Sequence, residues 1–124
     1  MCFIADSDAL VAPRSIRVLK LLHKNDEGVL LSPVKKYPYY KDAENPIIHL
    51  SKDKDSCISE GYHAYLNEAT ILKFYRHFGF KSIKELEKKT PYIVGVFEIP
   101  KGTLYFVNSR NEVVTENLIL KDLL

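Results

Sequence analysis

The sequence predicts an α+β fold: a mainly antiparallel sheet carrying one helix pair between its N-terminal and C-terminal strands, in a single domain over residues 1–124. Three observations lead there. Short runs rich in β-branched and aromatic residues, bounded by turn clusters, lie toward both ends of the chain. One stretch between residues 67 and 89 combines helical spacing with helix-start signals. The length of 124 residues suits one domain with a core that requires neither metal nor disulfide.

The elements follow in order. MCFIA (1–5) is a short apolar run, an edge or first strand, broken by Asp6, Ser7 and Asp8. SIRVLKLLHK (15–24) allows helix or strand; strand is preferred, because NDEG (25–28) then turns it into VLLSPV (29–34) as a hairpin. KKYPYYKDAENP (35–46) reads as a loop, PIIHLS (46–51) as a short strand, KDKDS (52–56) as a charged turn and CIS (57–59) as another short strand. Asn67 is an N-cap with Glu68 in the first turn, where a carboxylate suits the helix dipole. Ile71, Phe74, Tyr75 and Phe78 recur at helical spacing up to Gly79. Ser82 and Glu85 form a capping-box pattern for a second helix, SIKELEKK, which Pro91 bounds. YIVGVFEIP (92–100) is apolar on both faces and reads as a central strand. KGTLYFV (101–107), NSRN and EVVTENLIL (112–120) read as a closing hairpin.

Composition bounds the function. Apolar residues at 46 % and charged residues at 27 % are ordinary for a soluble globular domain. A net charge of +2 does not mark a nucleic-acid binder. Cys2 and Cys57 lack the spacing of a zinc site or disulfide framework, so reduced thiols in the cytoplasm are expected. Neither a signal peptide nor a membrane span is visible, and no membrane partner is expected.

GYHAY (61–65) is the first candidate site. Gly61 permits a positive φ or a close backbone approach. Strand alternation sends Tyr62 and Ala64 to one face and His63 and Tyr65 to the other, pairing an imidazole with a phenol. Such a pair can stack on a nucleotide or move a proton; the plainer alternative is that the tyrosines pack beside the helix and His63 satisfies a carbonyl. Cys2 is the second candidate: removal of Met1 would leave an amine beside a thiol, the arrangement of an N-terminal cysteine hydrolase, although a small apolar strand residue explains it equally. The third is a basic aromatic surface. VKKYPYYK supplies Lys35, Lys36 and Lys41 among tyrosines, and residues 73–89 supply Lys73, Arg76, Lys81, Lys84, Lys88 and Lys89 against Glu85 and Glu87. Cations neutralise phosphates and rings stack on bases; alternatively Phe74, Tyr75 and Phe78 form a buried stripe and the lysines a solvated face. Glu112 and Glu116 would share a strand face, as a catalytic acid or as the polar side of an edge. Phosphate loops, zinc spacing, calcium loops and serine-nucleophile motifs are absent, and no cofactor or metal is expected.

Two resemblances add to this. MCFIA, GYHAY and VGVFEIPKGTLYFV, in that order, resemble a group of small uncharacterised proteins of bacteria and their phages. That likeness covers most of the chain. It implies a phage or mobile-element setting, in which compact proteins often act as stoichiometric inhibitors of host defence, CRISPR effectors included. EGYHAYLNEATILKFY, with VGVFEIP and NEVVTENLIL, is similar to the second half of ADP-ribosyltransferase-like folds. That resemblance implies a nucleotide pocket formed by Tyr62, His63, Tyr65 and Glu116 or Glu112. Arg17 or His23 would stand in place of the family's early histidine–glycine–threonine or arginine motif.

The expectation is therefore a non-enzymatic binding protein of the host cytoplasm. It would inhibit or modulate a larger protein or ribonucleoprotein complex through Lys35, Lys36, Lys73, Arg76, Lys84, Lys88 and Lys89, with RNA as a possible contact. An ADP-ribosyltransferase-like nucleotide-binding domain or enzyme, and an N-terminal cysteine hydrolase, are the alternatives. The oligomeric state is left open.

Overall fold

A computed structural model of the chain describes residues 3–5, 7–75 (Phe74 through its backbone only) and 78–124. Its architecture is sheet-rich α+β, antiparallel throughout, with two short helices. The centre is the pairing of β3 (Ile16–Lys24) with β8 (Tyr92–Ile99), which runs in register from Ile16 opposite Ile99 to His23 opposite Tyr92. β11 (Ile119–Leu123) flanks β8. On the other side β3 meets β7 (Tyr62–Tyr65), followed by β10 (Glu112–Thr115), β9 (Leu104–Val107) and β2 (Leu10–Val11). β4 (Leu30–Leu31) and β5 (Pro38–Tyr39) extend from the end of β3. β1 (Phe3–Ile4) and β6 (Cys57–Ile58) form a separate two-stranded ribbon.

The helix-or-strand ambiguity of residues 15–24 has a packing cause. Both faces of β3 are covered, so alternation of apolar and polar residues is lost. Val18 and Leu22 enter one core with Phe97, Ile99, Tyr39 and Tyr62; Leu19 and Leu21 enter the other with Val94 and the helix residues Ile71, Ile83 and Leu86. A third cluster, with Phe3, Ala5, Ile58, Phe106 and Val114, seats the β1–β6 ribbon. β8 divides the same way: Tyr92, Val94 and Val96 face the helices, and Ile93, Phe97 and Ile99 face away.

The helices follow β7 and precede β8. In α1 (Glu68–Phe74) the Asn67 side chain accepts the Thr70 N–H at 2.9 Å. In α2 (Ile83–Lys89) Ser82 Oγ accepts the Glu85 N–H at 3.2 Å, while Glu85 reaches back to the Lys81 N–H at 3.4 Å rather than to that of Ser82. α1 ends at Phe74, short of Gly79, because Tyr75 already leaves helical geometry at φ −101° and ψ 22°.

Two strand boundaries differ from expectation. Residues 46–51 are an extended strap, not a ladder strand: the Ile48 N–H goes to the Glu116 carbonyl at 3.0 Å. EVVTENLIL is two strands. Thr115 Oγ1, with one proton to donate, lies 3.1 Å from both the Leu104 and Asn117 carbonyls, and Asn117 Oδ1 accepts the Leu118 N–H at 2.8 Å. These local side-chain bonds turn the backbone out of the ladder, so Glu112 and Glu116 do not share a strand face. Cys57 is disulfide-bonded, against the expected reduced thiol; Cys2 lies outside the described residues. No helix among the described residues is long and apolar enough to cross a membrane.

Candidate functional site

The GYHAY segment enters the sheet through Gly61, at φ +129°. A Cβ there would stand 2.5 Å from Leu50 Cδ2 and 2.6 Å from Val114 Cγ2. Only glycine fits both the backbone geometry and the space. Beyond it the residues alternate. Tyr62 and Ala64 are buried in the core shared with Tyr39 and Phe97; Tyr65 packs toward the helix side, and His63 stands 6.3 Å from the Phe3 ring.

Tyr62 belongs to a tyrosine cluster. Its ring meets Tyr37 edge-on at 5.9 Å, Tyr39 meets Phe97 edge-on at 5.0 Å, and the Tyr62 hydroxyl donates to the Pro46 carbonyl at 2.6 Å. Asn45 completes the arrangement, accepting from the Tyr37 hydroxyl and donating to the Leu118 carbonyl. Burial, then the neighbouring phenols, hold the Tyr39 and Tyr62 hydroxyls well above the usual phenol range. Tyr65 is pushed up to about 12 by burial first, then by the Glu112 carboxylate and Tyr75.

His63 is half-buried. Burial first, then the positive charges of Lys20 and Lys35, push its imidazole down to about 4, so it is neutral at pH 7. The Lys20 ammonium donates to the His63 main-chain carbonyl at 2.6 Å. Burial, then Lys35, brings Lys20 down to about 8. Lys20 was not singled out from the sequence. Its signal was there: one charge at the centre of a strand whose neighbours Val18, Leu19, Leu21 and Leu22 are all buried.

Glu116 is committed elsewhere. Its Oε2 accepts the Leu50 N–H at 3.0 Å and lies 3.7 Å from the exposed His49 imidazole, so its side chain fastens the strap. Two shallow depressions of about 260 and 270 Å³ mark the surface. Leu30, Lys41, Leu120, Asp122 and Leu123 line one; Glu68, Ser82, Ile83, Lys84, Glu87 and Leu124 line the other. Neither takes in Tyr62, His63, Tyr65 or Glu116. Among the described residues no cluster of His, Cys, Asp and Glu is arranged to hold a metal.

The basic aromatic stretches separate into inward rings and outward charges. On the β4–β5 connection Lys35 and Lys36 are exposed, Lys36 at φ 58°, while Tyr39 is buried and Tyr37 packs beside it. On α2, Ile83 and Leu86 face the core and Lys84 and Lys88 face out. Lys89 pairs with Glu85 at 3.1 Å. Lys73 is exposed in the last turn of α1; Arg76 lies outside the described residues. Phe78 departs from the buried-stripe reading. Because α1 stops at Phe74, Phe78 sits beyond the helix face, 59 % exposed. Its ring stacks on Phe80 at 5.7 Å with planes 16° apart, and tilts against Tyr75, which in turn meets Tyr92 at 6.5 Å.

Comparison with protein-family models, with curated proteins and with solved structures returns no match.

Proposed function

We propose that this chain is a small non-enzymatic binding protein, from a phage or mobile-element setting, that inhibits or modulates a larger host defence complex such as a CRISPR effector in the host cytoplasm. The contact surface is the aromatic and lysine-rich region of residues 73–89. The observation that carries this reading is the Phe78 ring: 59 % exposed and stacked on Phe80, on the segment that runs into the outward lysines of α2. An exposed aromatic anchor with flanking cations is the composition that concentrates binding energy at protein interfaces and stacks on unpaired bases. Lys84 and Lys88 form no ion pair among the described residues, so their charge is available to a partner. The small net charge of +2 favours contact with a protein or ribonucleoprotein over free RNA.

The test is a pull-down from host lysate, with and without nuclease, using the wild-type chain, the triple charge reversal of Lys84, Lys88 and Lys89 to Glu, and Phe78→Ala. The partner is retained by the wild-type chain and lost by both variants, whose circular dichroism stays native. Nuclease sensitivity identifies an RNA contribution. Full retention by both variants removes this surface from consideration.

A further inference from the structure

The main path of the sheet ends at β11 on one side and at β2 on the other, and the two ends are finished differently. The β11 edge is covered. The Leu120 carbonyl accepts the Asp42 N–H at 2.7 Å, Asp122 Oδ1 accepts the Leu123 N–H at 2.8 Å, and Lys121 pairs with Asp42. Such devices keep an edge from pairing with another chain. At β2 only Pro13, just past the strand, limits pairing. The inner side of β2 is fixed: the Ala12 N–H donates to the Thr103 carbonyl at 3.0 Å, and the Ala12 carbonyl accepts the Gly102 N–H at 2.8 Å. The Leu104 carbonyl, opposite Val11, accepts the Glu116 N–H at 3.1 Å and so faces away from β2. Val11 and Leu104 are therefore a non-hydrogen-bonded pair, and the Val11 N–H and carbonyl point out of the sheet. Neither group has a hydrogen-bond partner among the described residues. Leu10 and Val11 are 46 % and 59 % exposed, so this edge is apolar and open to solvent.

We infer that two copies of this chain pair through β2, antiparallel, about a two-fold axis at Val11. The charges at the two ends of the strand select this occupant. Asp8 precedes β2 and Arg14 follows it; both are exposed, and neither forms an ion pair with a described residue. Antiparallel pairing brings Asp8 of each copy alongside Arg14 of the other. Parallel pairing would set like charges side by side, which is unfavourable. Outward main-chain groups must meet outward main-chain groups. Val11 therefore faces Val11 of the second copy, and each N–H donates to the other's carbonyl. The same patch serves both copies, as a two-fold interface requires. The edge is short and buries less than the roughly 800 Å² per partner of a standard interface, so the dimer exchanges and fills at high concentration. The inference does not depend on the α2 surface and holds whether or not that surface binds a partner.

The experiment is sedimentation velocity of the full chain at low salt, over a concentration series that reaches the millimolar range. The wild-type chain passes from monomer to dimer. Val11→Pro removes an N–H that the fold itself does not use, and weakens the dimer at least about tenfold, the scale of two lost hydrogen bonds. Its circular dichroism stays native. Asp8→Arg and Arg14→Asp are charge reversals at exposed positions, and each alone weakens self-association. Mixed together they pair with one another, because every Arg then meets an Asp across the strands. A purely structural role for either residue would not produce that recovery. A chain that stays monomeric throughout overturns the inference and leaves the edge to an extended segment of some other protein. An unchanged dimer in Val11→Pro, or a mixture that associates no better than its separate components, also overturns it.

Discussion

The Lys20 ammonium reaches across from β3 to the main-chain carbonyl of His63 on β7 at 2.6 Å, beside the single register pair, Leu19 opposite Tyr65, that joins the two strands. One side chain therefore extends a seam that the backbone ladder closes only once. Both Lys20 and the His63 imidazole titrate away from their ordinary ranges, burial being the first cause of each shift.

That placement sets a pH dependence of stability. The His63 imidazole is lowered from 6.5 to about 4, so between these values the unfolded chain holds a proton that the folded chain does not. The contribution is complete above pH 6.5 and is lost as pH falls toward 4. Lys20 is lowered from 10.5 to about 8; the unfolded chain again holds the extra proton, so stability rises from pH 8 upward. Above about pH 10 the raised phenols of Tyr39, Tyr62 and Tyr65 reverse the sign, since the unfolded chain then releases protons that the folded one retains. Urea unfolding free energies should show a loss of roughly 2 kcal/mol between neutral and mildly acidic pH, after allowance for solvent screening. His63→Gln flattens the acid limb, and Lys20→Met flattens the rise above pH 8.

Gly61→Ala tests the entry to β7. The added methyl meets Leu50 and Val114, and the backbone is at φ +129°. Such strain costs about 1–3 kcal/mol. The urea midpoint should fall while the m-value stays constant.

Glu116→Ala removes the carboxylate that accepts the Leu50 N–H. A hydrogen bond to a charged group contributes about 1.5–3 kcal/mol, and its loss should appear first as faster amide exchange at Leu50. Glu116→Gln, which keeps an acceptor oxygen, should retain most of the protection. His49→Ala should change little, since the His49 side chain is 89 % exposed.

Asn67→Ala and Ser82→Ala each remove the oxygen that satisfies a first-turn N–H. Both helices have seven residues, too few to persist without caps and packing. Each substitution should lower stability by about 1 kcal/mol, measured by chemical denaturation.

The helices were legible in the sequence because capping is local: Asn67 and Ser82 signal their roles within three residues. β8 was legible because a strand covered on both faces shows a continuous apolar run; the same double coverage left β3 ambiguous by periodicity, and the NDEG turn after it decided for a strand. The split of EVVTENLIL was not legible, since it depends on Thr115 finding the Leu104 carbonyl on a neighbouring strand. The strap at 46–51 reads as a strand by composition, but its partner is the end of β10 and a glutamate side chain, set by tertiary placement. For the candidate site, alternation placed Tyr62 opposite His63 and Tyr65. The buried environment of Tyr62 rests on Tyr37 and Tyr39, more than twenty residues away. Phe78 followed the helical period on paper; only the early end of α1 puts its ring in solvent. Lys20 was passed over because composition weighs charge without regard to the neighbours that surround it.

β10 lies in the interior of the sheet, between β7 and β9, although its residues are 112–115. During synthesis β7 therefore emerges with one side uncovered, and β9, which holds β2, has nothing to attach to until β10 leaves the ribosome. Pairings that wait on such distant segments form slowly and leave strand edges open in the interval. A nascent chain stalled before residue 112 should be protease-sensitive and prone to self-association, and release of the next few residues should close the sheet in one concerted step.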